Sequence, residues 1–172
     1  TFKGRIIGTG VSRNNKYTIN ISPPSGLSWN EDYNIRCESV ALPDQNISTT
    51  SDDIRVGPAR EHAINVTYGT ITPIFLCDRK LDIKKFFESW QHLIFDKDTF
   101  RVKYFNTYIG TMTVKQHDVR DSIETMNNTT AVYTAKLFDI FPKTISELAL
   151  QTGDTDFHRL SVEFEYTKWQ QL

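Results

Sequence analysis

Cysteine is scarce. Cys37 and Cys77 are the only two in 172 residues, too few and too far apart for a disulfide framework or a CxxC site. Cys37 falls in a strand-like pattern, where a thiol acts as a small hydrophobe, and such sparse usage favours a reducing compartment. Long apolar runs are missing too. No stretch approaches the ~20 residues that a membrane-spanning helix needs, and no charged segment followed by an apolar one marks a secretion signal. The expectation is therefore a protein without a membrane anchor. Nor is there an excess of charge: 20 Lys+Arg stand against 21 Asp+Glu, a net of −1. A balance of this kind has no global pull on a phosphate backbone, which argues against a free-standing nucleic-acid binder. Without a secretion signal, the Asn-X-Ser/Thr triplets at Asn20, Asn46, Asn65 and Asn128 read as ordinary β and turn composition.

Catalytic patterns are equally thin. His62, His92, His117 and His158 are dispersed, with no HxH or HxxxH ligand spacing. There is no GxSxG elbow, no phosphate-cradling glycine loop and no P-loop lysine. Asp154-Thr155-Asp156 has too few oxygen ligands for calcium and reads as an Asx turn. Neither a catalytic residue, nor a metal site, nor a cofactor is expected.

What the chain has is aromatic and β-branched sequence: eleven Phe, seven Tyr and three Trp, 12% aromatic overall. Its length suits one domain, 1–172, able to bury roughly 70% of its unfolded surface without staples. Phe2–Gly8, Tyr17–Ile21 and Tyr33–Val40 read as strands, the last running into Leu42-Pro43. Residues 44–58 are polar and aperiodic, a loop of the length that is usually functional or disordered. Asp52 and Asp53 fall within it, while Ile47, Ile54 and Val56 call for something to pack against. Glu61–Tyr68 and Thr70–Cys77, parted by Gly69, suggest a hairpin. A second hairpin is expected from Phe100–Phe105 and Tyr108–Lys115 about Asn106-Thr107. One helix stands out, Asp82–Phe95, with Asp78 and Asp82 as N-cap candidates. Its Ile83, Phe86, Phe87, Trp90, Leu93 and Ile94 form one apolar stripe, suited to covering the open face of a sheet.

The last third carries the most information. Val132, Thr134, Lys136 and Phe138 alternate with Ala131, Tyr133, Ala135 and Leu137, as in a strand. Phe141-Pro142 then forms a corner, with Ile145, Leu148 and Leu150 behind it. Proline has no N–H to give, so the strand is expected to stop or leave its sheet there. The final strand has Leu160, Val162, Phe164 and Tyr166 on one face. On the other are Arg159, Ser161, Glu163, Glu165 and Thr167: a core side and a water side.

A strand ending at an aromatic-Pro corner (Phe141, Pro142), then Ile145, Glu147-Leu148, an acidic turn, and an alternating strand closed by Trp169 resembles the end of T4-like contractile-phage tail tube proteins. Cys37-Glu38-Ser39-Val40-Ala41-Leu42-Pro43 is similar to the family's strand entering its long loop. Phe86-Phe87-Glu88-Ser89-Trp90-Gln91 is similar to its single helix. The likeness runs from about Tyr33 to Trp169; the family's helix-bearing arm is replaced before it by strand-like sequence.

The resemblance implies a mainly β fold, an antiparallel sandwich or partial barrel with one covering helix that closes into a barrel ring on oligomerisation. It implies six copies per ring and rings stacked into a tube. Leu42, Pro43, Ile47, Asp52, Asp53, Ile54 and Val56 would form the inter-ring loop, and Ser161, Glu163 and Glu165 would line the lumen as a band of negative potential. Its implied partners are a tail sheath outside, a tape-measure protein and transiently DNA inside, and baseplate and tail-terminator proteins at the ends. The implied location is a virion tail assembled in the host bacterial cytoplasm. A tube-initiating baseplate protein or a secretion-system tube protein shares this architecture. A monomeric β-sandwich binding module or an enzyme with an unrecognised site is the reading from another class.

Overall fold

Period-two alternation sets the architecture. The computed structural model describes residues 15–52, 54, 56–118, 131–151 and 156–172. The strand expected at Phe2–Gly8, Asp53, most of the polar stretch 117–128 and the Gly153-Asp154-Thr155 turn lie outside them. Nine strands follow in chain order: β1 (Tyr17–Ser22), β2 (Cys37–Ser39), β3 (Asn46–Asp52), β4 (Arg60–Thr67), β5 (Ile74–Leu76), β6 (Gly110–Gln116), β7 (Tyr133–Ile145), β8 (Arg159–Glu165) and β9 (Lys168–Gln171). The helices are α1 (Asp32–Ile35), α2 (Asp82–Ile94) and α3 (Phe105–Tyr108).

Seven strands make one curled antiparallel sheet in the order β1-β6-β7-β8-β5-β2, with β9 beside β7; β3 and β4 form a separate two-stranded ribbon. One face of the sheet is the core. Ile19 and Ile21 of β1, Met112 and Val114 of β6, Leu137 and Ile140 of β7, and Leu160, Val162 and Phe164 of β8 are all buried. Helix α2 lies over this face and contributes Ile83, Phe87 and Trp90, each fully buried, whereas Phe86 is half-buried between Trp29 and Tyr33. Each such side chain is worth roughly 1.5–3 kcal/mol relative to exposure.

Trp90 is seated with particular economy. Its Nε1 donates to the Tyr108 carbonyl at 2.7 Å, satisfying the polar atom of a buried ring. Its edge lies against Gly110, where an added Cβ would come within 3.0 Å of the indole and 2.5 Å of the Ser22 carbonyl oxygen. Glycine is needed there for space. The helix starts after Leu81, at φ 56, and Asp78 caps it by accepting from the Asp82 N–H at 2.7 Å.

Strand β7 does change partners near its proline, but it does not stop. Residues 133–140 pair with β6, and a bulge at Asp139, φ 57, precedes a second stretch, 141–145, that pairs with β8. Pro142 is tolerated because β6 has ended, and the vacated edge is served by α2: Gln91 donates its amide to the Pro142 and Lys143 carbonyls at 3.4 and 3.2 Å.

Four expectations are corrected. Residues 44–58 are not structureless: Asn46–Asp52 is a strand, and it pairs with Arg60–Thr67 from Asn46↔Thr67 to Asp52↔Arg60. Glu61–Tyr68 therefore takes β3 as its partner and does not pair across Gly69. Both ribbon faces are solvated, so Ser and Thr occupy both sides and no alternation betrays the strand. Next, Tyr33 does not begin a strand. Asn30 accepts from the Asp32 N–H through its side chain and from the Tyr33 N–H through its carbonyl, and this Asx geometry starts α1. The second hairpin is absent as well: Val102 makes an isolated bridge to Phe95, and Asn106-Thr107 lies within α3.

Candidate assembly surfaces

The face of the sheet opposite the core is polar, and β6, β7, β8 and β9 all contribute to it. Cross-strand register places Thr111 opposite Phe138, Thr113 opposite Lys136, and Lys115 opposite Thr134. It also places Lys168 opposite Phe138 and Gln170 opposite Lys136, and Phe141 opposite Glu165. Ser161, Glu163 and Glu165 are on this face and half-exposed, as alternation requires. Their electrostatics differ from a bare acidic band. Lys143 Nζ lies 2.7 Å from Glu165 and 3.7 Å from Glu163. The bond to Glu165 raises the Lys143 pKa, and the Thr144 hydroxyl, followed by Lys143, holds Glu163 below its ordinary value. The other end of the face is basic: Lys136 and Lys168 lie 5.3 and 5.5 Å from the Phe138 ring centre. Sequence reading missed this end because it followed β8 alone. The lysines come from β6, β7 and β9, and only the register brings them together.

The second surface is the β3–β4 ribbon. Every residue of β4 is exposed, and five apolar side chains are bare: Ile47 53%, Ile54 93%, Val56 109%, Ile64 65% and Val66 39%. An isolated two-stranded ribbon is marginally stable by itself in water, and this one has no core of its own. It is tied at its root. Asp44 Oδ1 accepts from the Gly69 N–H at 2.8 Å and from the Tyr166 hydroxyl at 3.4 Å, and its carbonyl accepts from Trp169 Nε1 at 3.0 Å. Leu42 is half-exposed just before this anchor. Of the C-terminal motif, Pro142 is buried, whereas Phe141, Ile145, Leu148 and Trp169 are half-buried, with Ile145, Leu148 and Trp169 packed against the core.

A third surface lies at the C-terminal end of α2. Phe100, Val102, Tyr104 and Phe105 are exposed there, with Phe95 against Phe100 at 5.9 Å. Among the described residues no group of His, Cys, Asp and Glu could hold a metal ion. Among the described residues no helix is long and apolar enough to cross a membrane. Cys37 is buried, with its pKa pushed up to about 12 by desolvation, and is unsuited to nucleophilic work.

The described residues thus present a polar sheet face, a helix over the opposite face and a ribbon with bare apolar side chains. The family model of the phage tail tube protein matches residues 12–172. The chain belongs to the phage tail tube protein family. No curated protein matches it by sequence. Among solved structures, this tail tube protein is similar to a chain of an extracellular contractile injection system, the PVC sheath–tube complex in the extended state, at 13% identity and TM-score 0.68, covering 100% of this chain and 98% of that one. It is also similar to a chain of the anti-feeding prophage cap, a tube-terminating cap, at 8% identity and TM-score 0.68, covering 95% and 92%. A third likeness is to a chain of the anti-feeding prophage baseplate, at 10% identity and TM-score 0.61, covering 95% and 97%. At such identities the likeness is one of fold. The family match makes the tail tube protein a structural component of a tail tube.

Proposed function

We propose that six copies of this tail tube protein close into a ring through their sheets, and that rings stack into the inner tube of a contractile tail that conducts DNA. Open edges support the ring. The sheet ends at β1 and β2, and among the described residues no strand pairs with the outer side of either. Joining edges between copies would remove the template for indiscriminate pairing that open edges present. In this arrangement the polar face, with Ser161, Glu163 and Glu165, lines the channel, and α2 faces outward.

The observation that carries the reading is the ribbon: two strands with no core, five bare apolar side chains and an anchored root. Seated on a neighbouring ring, Leu42, Pro43, Ile47, Asp52, Asp53, Ile54 and Val56 would form the inter-ring contact. The structures it resembles belong to a sheath–tube complex, a tube-terminating cap and a baseplate. By that likeness the partners are a sheath outside, a terminator at one end and a baseplate at the other. A tape-measure protein inside the tube and assembly in the host cytoplasm complete the proposal. No catalytic step and no cofactor enter it.

Size-exclusion chromatography with light scattering tests the ring. The expected particle has six times the 19.9 kDa of one chain, or is a longer tube in negative stain. A monomer at every concentration would refute the ring.

A further inference from the structure

We propose that the basic end of the polar face is a duplex-DNA contact, a lysine band that holds the phosphate backbone reversibly as it passes. This rests on the reading that the polar face lines the channel. Lys136 and Lys168 flank Phe138 at 5.3 and 5.5 Å from its ring centre. Lys115, opposite Thr134, is the diagonal neighbour of Lys136 on β6, about 7–8 Å away in such a ladder. Among the described residues no carboxylate lies within ion-pair distance of these three lysines. An ammonium held over an aromatic ring keeps its full charge, because the attraction comes from the ring quadrupole and not from a counter-charge. At the other end Lys143 already neutralises part of Glu163 and Glu165. The face therefore carries unspent positive charge where an acidic wall was expected.

The chemistry around the lysines selects the occupant. Thr111, Thr113 and Gln170 surround them in register. Lysine, hydroxyl and amide side chains are the groups that meet phosphate and sugar oxygens without reading sequence. Acidic peptide motifs are recognised by clusters of arginine, whereas the cations here are lysines, two of them on the inner strands β6 and β7, with no arginine on β6, β7 or β9. Contacts made only to phosphates permit sliding, so such a band slows DNA without trapping it.

The test measures binding of a short fluorescent duplex by anisotropy, on the unassembled subunit, whose face is open, and on assembled rings. Three lysine–phosphate contacts predict an affinity loss of about 40-fold between 50 and 200 mM salt, from a slope near −0.9 per contact. In the K136Q/K168Q variant weaker binding is expected, with the salt effect reduced to about threefold. K136R/K168R should retain binding, and K84Q/K85Q on α2 should match wild type. Unchanged binding by K136Q/K168Q overturns the proposal, as does tighter binding of polyglutamate of equal charge, which would assign the site to an acidic polypeptide. The channel reading is tested separately with Gln170→Cys on intact tubes. Free reaction with a bulky maleimide refutes the channel but leaves a lysine-dependent DNA contact standing; loss of lysine dependence with the label excluded refutes the contact alone.

Discussion

Trp90 joins three parts of the chain: the helix that carries it, the Tyr108 carbonyl that accepts its hydrogen bond, and the glycine at 110 that makes room for it. Its burial was legible from the i, i+3, i+4, i+7 stripe; its hydrogen bond and its need for Gly110 were not, because spacing says nothing of partners across the fold. Trp90→Ala is expected to cost about 3–5 kcal/mol through the cavity it leaves. Thermal denaturation would show this as a fall of roughly 10 °C, and an unchanged melting curve would place Trp90 outside the core. Three residues set an alkaline limit. Burial, followed by nearby acidic groups, pushes the Tyr17 and Tyr166 hydroxyls up to about 12, and desolvation does the same to the Cys37 thiol. Each is raised above its unfolded value, so the stability it contributes is complete below that value and is lost as pH rises through the folded one. Denaturant midpoints should therefore hold steady near neutrality and decline from about pH 9 to pH 12. A flat profile across that window would contradict the burial of these groups.

At the scale of elements, strands and helices with one wet and one dry face were readable, whereas the ribbon was not. β8 declared itself because Leu160, Val162 and Phe164 alternate with Ser161, Glu163 and Glu165. The stripe of α2 did the same at helical spacing. β3 runs Asn-Ile-Ser-Thr-Thr-Ser-Asp, polar on both sides, and its pairing with β4 depends on contacts that the pattern does not encode. Asp44 is a similar case: it holds the root through Gly69, Tyr166 and Trp169, 25 to 125 residues away. Replacing residues 46–67 by a tight turn between Asp44 and Gly69 should leave the seven-stranded sheet intact, since the ribbon adds nothing to the core. The shortened protein is expected to fold, to form single rings, and to stop there. Normal long tubes in negative stain would remove the ribbon from the stacking contact.

For the whole molecule, the polar face changes meaning with assembly. On one chain it is a solvated surface of lysines, glutamates and threonines; in the proposed ring it would become a wall whose charge is multiplied by the number of copies. Sequence predicted an acidic wall from Glu163 and Glu165, because the lysines lie on other strands and only the register of β6, β7 and β9 brings them to the same face. E163K/E165K should still assemble, since neither side chain reaches the core. It should retain duplex DNA more strongly than wild type, in a way that added salt reverses; equal retention would mean that DNA does not meet this face. The central claim is the ring with this face inside, and cryo-electron microscopy of the assembled protein tests it most directly. The account predicts a six-fold ring whose channel wall carries Ser161, Glu163, Glu165 and Lys136, with α2 on the outer surface. A ring with α2 toward the channel, or an assembly in which β1 and β2 remain unpaired at the outside, would contradict it.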